Sequence, residues 1–154
     1  MIKHIKCDIF KSGADVICHQ VNCQGVMGSG IARQVKEKYP SVYETYYELC
    51  KLYKDKPSEL LGCVLTRNVR NEIRIDNLFA QENFGYNGKC YTDYNALRKC
   101  LNLVANSYSN KTIAIPYLMG CCRGGGDWNI VYKMIEEVFA DSDCEILICE
   151  YNGG

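Results

Sequence analysis

"ICHQVNCQGVMGSGIARQVKEKYP", residues 17–40, is the stretch on which the fold turns. Extended back to "DVICHQV" at 15–21, its first part is a short apolar run bounded by "KSGA", which reads as a buried strand. Its last part turns helical at Gly30, with Ile31, Ala32, Val35 and Tyr39 at helical spacing and Pro40 as the stop. Between the two lies "GVMGSG", rich in glycine. Such a loop exposes backbone N–H groups, and the helix N-terminus behind it adds a partial positive charge. A strand, a glycine loop and a helix in that order suit an anion, above all phosphate.

The same unit recurs later. "TIAIPYL" at 112–118 reads as a buried strand and "MGCCRGGGD" at 119–127 as a second glycine loop. Asp127 is placed to cap a helix carrying Trp128, Val131, Ile135, Val138 and Phe139. Two such loops facing one crevice suit a diphosphate. Around them, residues 2–6 read as a strand, and Ser41 is placed to cap a helix over 42–53 with Val42, Tyr46, Leu49 and Tyr53. "LLGCVLTR" at 60–67 and "IRIDNLFA" at 73–80 read as strands around an "NVRN" turn. Thr92 or Asp93 caps a helix over 94–105, and "EILICEY" at 145–151 is the last strand. Strands and helices alternate throughout, which predicts an α/β layer fold with helices on both faces of a largely parallel sheet, and a ligand at the carboxyl ends of its strands. No repeat or linker interrupts residues 1–154, so they read as one domain.

Composition narrows the partners. Hydrophobic residues make up 47% and charged residues 23%, and 18 basic side chains balance 18 acidic ones. With no excess of basic charge, binding of bulk nucleic acid by electrostatics is not expected, although a nucleotide pocket remains open. No apolar run approaches the ~18–20 residues of a membrane span. "MIKHIKCDIF" lacks the charged start and apolar stretch of a secretory signal, so a cytoplasmic location is expected. The eleven cysteines are odd in number, mostly inside apolar runs, and form no C-x-x-C pair. They read as reduced core residues, and no metal is expected.

Familiar phosphate signatures are absent. There is no G-x-x-x-x-G-K-[ST]. "GSGIAR" starts like a dinucleotide fingerprint but ends in Arg33, and helix follows helix after it. G-x-S-x-G is missing too.

Taken together, "KCDIF" at 6–10, the 17–40 stretch and "IPYLMGCCRGGGDWNIVYKMIEEVF" at 115–139 resemble the macrodomain family. Within it, they look most like the branch holding terminal ADP-ribose protein glycohydrolase and the yeast-type ADP-ribose-1''-phosphate phosphatase. The resemblance implies a three-layer fold with a mixed, mostly parallel central sheet. It implies ADP-ribose, free or carried on a macromolecule, as ligand, and no cofactor. It places Asp8 and Ile9 at the adenine and Asn22 at the distal ribose. Gly28, Ser29, Gly30 and Ile31 match the first phosphate loop. Gly120, Cys121, Cys122, Arg123, Gly124, Gly125 and Gly126 match the second.

The residue types agree: a carboxylate selects a donor such as an exocyclic amine, and a carboxamide suits a sugar diol. There are departures. The glycohydrolase branch uses a lysine and an aspartate where this chain has Gln81 and Gly124, and an amide is no nucleophile. Cys122 stands where glycine is commoner. Asp127 and Asn22 are then the candidate catalytic residues, Asp127 either as a carboxylate that orients water or simply as a helix cap. Cys121 or Cys122, near a helix start, could be an activated thiol. His19 could serve as a base by type, but on the face of Val21 and opposite Asn22 it reads rather as a core residue or one that supports the site from behind. Phe84, Tyr86 and Tyr91 could form an aromatic flap. Two functions stay open: a hydrolase acting at the distal ribose, by de-ADP-ribosylation or by dephosphorylation of ADP-ribose-1''-phosphate, or a reader module that binds ADP-ribose without turnover.

Overall fold

The computed structural model describes residues 1–151. Six strands form one sheet: β1 (Ile2–Lys6), β2 (Val16–Asn22), β3 (Val64–Asn68), β4 (Arg74–Gln81), β5 (Thr112–Pro116) and β6 (Glu145–Glu150), in the order β1-β6-β5-β2-β4-β3. Every neighbouring pair is parallel except β3 with β4. The helices are α1 (Gly30–Lys38), α2 (Pro40–Leu52), α3 (Tyr94–Ser107) and α4 (Trp128–Val138).

Strand alternation builds two cores. Val16 and Cys18 of β2, Leu78 and Ala80 of β4, and Ile113 and Ile115 of β5 pack with Leu97 and Leu101 of α3 and Val131 and Ile135 of α4. The intervening residues Ile17 and Val21, Ile75 and Phe79, and Ala114 pack with Val35 of α1 and Val42 and Tyr46 of α2. This period of two is what a sheet covered on both faces requires. The layers are thus α1/α2, sheet, α3/α4.

Some boundaries differ from expectation. Ser41 does not cap α2: Pro40 occupies its first turn and Tyr39 is the cap position. Proline's missing N–H costs nothing there, so the residue that ends α1 also starts α2. The strand expected at 60–67 begins only at Val64, because Pro57–Leu60 forms a 3-10 turn. β5 ends at Pro116, short of 118, and Leu118 takes a positive φ of 63°. At 93 the choice falls on aspartate: the Asp93 side chain accepts from Ala96 N, leaving Thr92 free for another partner.

Candidate functional site

The sheet order places a switch between β2 and β5. The helix after β2, α1, lies on one face, and the helix after β5, α4, lies on the other. Connections diverging to opposite faces open a crevice at the strand carboxyl ends. The ladder between β2 and β5 covers only Val16↔Ile113 and Ile17↔Ala114, whereas β2 stays paired with β4 as far as Asn22↔Gln81. In that crevice lies a cavity of about 230 Å³.

One wall is the first glycine loop, with Gly28, Ser29, Gly30 and Ile31. Ser29 is the N-cap of α1 in extended geometry, yet its side chain makes no capping hydrogen bond. Arg33 N is the first amide of α1 to find a helical partner, Ser29 O at 3.2 Å. The N–H groups of Gly30, Ile31 and Ala32 therefore stay available at the positive end of the helix, and all three residues line the cavity. α3 and α4 differ, since Asp93 and Asp127 cap them. Gly30 has φ +57°, and a Cβ there would meet nothing within 4 Å. At Gly28 a Cβ would touch only Val26 Cγ1 at 3.5 Å. Gly28 and Gly30 thus face open space, whereas a Cβ on Gly25 would lie 3.3 Å from Tyr47 Cδ1.

The facing wall holds Gly120, Cys122, Arg123 and Gly124. Its glycines answer to packing. A Cβ on Gly124 would lie 2.5 Å from Thr92 Oγ1 and 2.6 Å from Gly120 O, and one on Gly125 would strike Lys89 O. Thr92 N donates to Gly124 O at 3.0 Å, Thr92 Oγ1 to Gly120 O at 2.7 Å, and Gly126 N to Gly120 O at 2.9 Å. Thr92 thus stitches the second loop to the segment before α3. Gln20 Nε2 donates both to Thr92 Oγ1 and to Gln81 Oε1, each at 2.9 Å, while Gln81 Nε2 donates to Asn83 O at 2.9 Å. Sequence reasoning missed Gln20 and Thr92 as site residues. Nothing in their spacing announces a contact that joins β2, β4 and both ends of a distant loop.

Asn22 lies in the cavity wall, 8% exposed, and its carboxamide shapes the first loop. Its Oδ1 accepts from Gln24 N at 2.9 Å and Val26 N at 3.4 Å, and its Nδ2 donates to Val26 O at 2.8 Å. The Tyr46 hydroxyl sits 2.9 Å from the same Oδ1. Asn22 thereby meets the α2 layer, the face of Val21, and not the opposite face expected from strict alternation. The β2–β4 register slips by one residue after Val21↔Phe79, which breaks the alternation there.

His19 also borders the cavity but is 1% exposed. Its Nε2 lies 2.6 Å from Asn77 Oδ1, and Asn77 Nδ2 donates to Leu65 O, so Nε2 carries the imidazole proton. Nδ1 has no protein partner. Burial pushes the His19 pKa down to about 4 against the Asn77 contact that raises it, so the ring is neutral at pH 7.

Of the remaining candidates, Cys122, Phe84 and Tyr86 line the cavity, and the others lie outside its lining. Asp127 Oδ1 accepts from Asn129 N at 2.9 Å as the cap of α4, and Asp127 is not among the residues that line the cavity. Cys121 donates to Met119 O, and burial pushes its thiol up to about 12, against an activated thiolate. Cys122 is exposed and lines the cavity. Gly125 and Gly126 belong to the packing behind the loop. Asp8 and Ile9 form a 3-10 turn after β1, where Asp8 Oδ1 accepts from Phe10 N at 3.0 Å. Of the aromatic flap, Phe84 and Tyr86 edge the cavity, and the Arg123 guanidinium stands 4.5 Å from the Tyr86 ring centroid. Tyr91 instead donates to Asn87 Oδ1. Among the described residues, no group of three or more His, Cys, Asp or Glu is placed to hold a metal ion, and no helix is long and apolar enough to cross a membrane.

This architecture matches solved structures over its whole length. The macrodomain of Mycobacterium tuberculosis DarG superposes with a TM-score of 0.79, covering 100% of this chain and 99% of that one at 23% identity. The chain has the macrodomain fold. No family model matches its sequence. Among curated proteins, the chain is 34% identical over 88 residues to an ADP-ribose 1''-phosphate phosphatase of Meyerozyma guilliermondii, covering 55% of this chain and 49% of the relative. It is 28% identical over 156 residues to a DNA ADP-ribosyl glycohydrolase of Mycobacterium tuberculosis, covering 100% of this chain and 43% of the relative. The macrodomain spans about half the length of these curated relatives, or less.

Proposed function

We propose that the crevice binds ADP-ribose and that the chain is a hydrolase acting at the distal ribose of ADP-ribosyl derivatives. One observation carries the ligand: the uncapped N-terminus of α1 faces the second glycine loop across the cavity. Its free N–H groups seat the diphosphate, with no bulk basic charge needed. The adenine then falls outside the cavity toward Asp8 and Ile9, and the distal ribose lies between the loops beside Asn22. Two relatives named for hydrolysis of ADP-ribosyl compounds support the reaction class.

The cavity lining contains no carboxylate, and His19 is too weak a base to act near neutral pH. Gln81 and Asn22 are committed to the protein's own hydrogen bonds. Catalysis therefore rests on positioning: rigid loops hold the distal ribose, and the ligand's own oxygens assist an incoming water. Cleavage at the anomeric carbon builds oxocarbenium character, which such holding favours. The same lack of carboxylates favours the second reading, a reader module without turnover.

Calorimetric titration tests the ligand. ADP-ribose is expected to bind, ADP to bind more weakly, and Asp8→Ala to weaken both. No binding of ADP-ribose would overturn the reading. Incubation with ADP-ribose 1''-phosphate and with ADP-ribosylated DNA then separates the two readings, since binding without product from either leaves the reader.

A further inference from the structure

All eleven cysteines are unpaired. Two of them stand in an arrangement that the cavity does not explain. Cys7 follows β1, and Cys149 lies near the end of β6, where Ile5 is opposite Cys149 and Lys6 opposite Glu150. Past the ladder, Cys7 N donates to Glu150 O at 3.0 Å, and on the other side of β6 Tyr117 N donates to Cys149 O at 2.9 Å. Both backbones are thus held, and the two Sγ atoms lie 3.8 Å apart. No other pair of cysteine sulfurs among the described residues makes such a contact. Cys7 is partly exposed, while Cys149 is 6% exposed. A disulfide needs sulfurs about 2.05 Å apart, so side-chain rotation and a small backbone movement must close a gap of roughly 1.8 Å.

We propose that Cys7 and Cys149 are a redox pair that closes to an intramolecular disulfide on reaction with a small-molecule disulfide such as oxidised glutathione. The Cys7 thiolate attacks one glutathione sulfur and expels one glutathione thiolate, leaving a mixed disulfide on Cys7. Cys149 gives its proton to solvent and attacks the Cys7 sulfur, expelling the second glutathione thiolate. The protein loses two electrons and two protons, and one glutathione disulfide becomes two thiols. The order follows from access: burial pushes the Cys149 thiol up to about 12 and keeps it protonated, so the exposed partner reacts first.

The pair sits at the proposed adenine end of the site. Cys149 is held on both sides, by β1 and β5, whereas Cys7 is held on one side only, through its N–H to Glu150 O, so the movement falls on Cys7 and on its neighbour Asp8. Resting on the ADP-ribose reading, oxidation therefore disturbs the Asp8 turn and weakens the ligand.

The full chain is equilibrated with graded ratios of oxidised to reduced glutathione, blocked with iodoacetamide and digested with trypsin. The expected product joins peptide 7–11 to peptide 134–154, and a thiol reductant removes it. Cys144 shares the second peptide, so fragmentation must place the bond on Cys149, and Cys149→Ser must abolish it. Because Cys122 is exposed and lines the cavity, affinity is read in a Cys122→Ser background, where oxidised protein is expected to bind ADP-ribose at least fivefold more weakly than reduced protein and the added Cys7→Ser change is expected to remove that difference. Glutathione found only on the exposed Cys63, Cys90 and Cys122, with no 7–11 cross-link, overturns the pair. A cross-link with unchanged affinity overturns its tie to Asp8. Reduced protein that ignores ADP-ribose refutes the proposed function, and the peptide map still decides the pair.

Discussion

Replacing Ser29 with aspartate should move stability and ligand affinity in opposite directions. Ser29 already has N-cap geometry, φ −153° and ψ 162°, but leaves the first-turn N–H groups of α1 uncapped. An aspartate there can accept from Ile31 N or Ala32 N and sits at the positive end of the helix. The cap contributes about 0.5–1 kcal/mol and the dipole a further ~0.5. For a chain of this length each kcal/mol raises Tm by roughly 2–4 °C. A phosphate seated on the same N–H groups would lie about 4–5 Å from the new carboxylate. At an effective dielectric of about 20, that repulsion costs about 3–4 kcal/mol, or two to three powers of ten in Kd. Calorimetry with ADP-ribose and a thermal melt read both quantities. Ser29→Asn, a cap without charge, should keep most of the stability gain and lose less affinity. Ser29→Asp that melts higher yet binds ADP-ribose as wild type would refute the placement of the diphosphate on α1.

The two glycine loops should respond differently to an added methyl group. Gly28→Ala should leave the urea midpoint within error and weaken ADP-ribose, whereas Gly124→Ala, forced against Thr92 and Gly120, should destabilise by about 1–3 kcal/mol. Equal stability losses would contradict the assignment of one loop to the ligand and the other to packing. His19 sets a pH dependence. Its folded pKa, about 4, lies below the value of 6.5 in the unfolded chain, so the unfolded state binds the proton first. Stability is then full above about pH 6.5 and falls as pH drops toward 4, by up to about 3 kcal/mol. Urea unfolding of wild type and His19→Gln between pH 7.5 and 4.5 checks this, and an identical slope in the variant would refute it. Asp127→Ala should cost about 1 kcal/mol through the lost cap and leave ADP-ribose affinity and any turnover within twofold. Turnover lost with the fold intact would restore Asp127 as a catalytic residue.

Much of this was legible in the sequence because it is local. The short apolar run in "DVICHQV" and the helical spacing after Gly30 place β2 and α1, and the recurrence of that unit at 112–138 places the facing half of the crevice. Residue type announces the helix starts at 92–93 and at 127, although only the structure chooses Asp93 over Thr92. Contacts that join distant segments were not legible. Nothing in "QVNC" says that Gln20 reaches Thr92, or that a one-residue slip against β4 carries Asn22 over to Tyr46. Asp127 stayed open between two roles for the same reason: a capping aspartate and a catalytic one look alike in sequence, and the structure shows the cap.

The glycines of the two loops also look alike in sequence, and the structure gives them different causes. Gly30 is favoured by its positive φ of 57°, whereas Gly28 borders open space with no such backbone demand, and a close-lying ligand is a reason for its lack of a side chain. Gly124 and Gly125 are demanded by the backbone of 89–92 and by Thr92, ligand or no ligand. The first loop is therefore an anion seat and the second a wall whose position Thr92 fixes. Gln20 sets that wall's distance from Gln81 through its two hydrogen bonds. Under the proposed function, a seat and a wall joined by one carboxamide would hold the distal ribose without a mobile acid or base, and rigidity is the form of catalysis that the lining of the crevice leaves available.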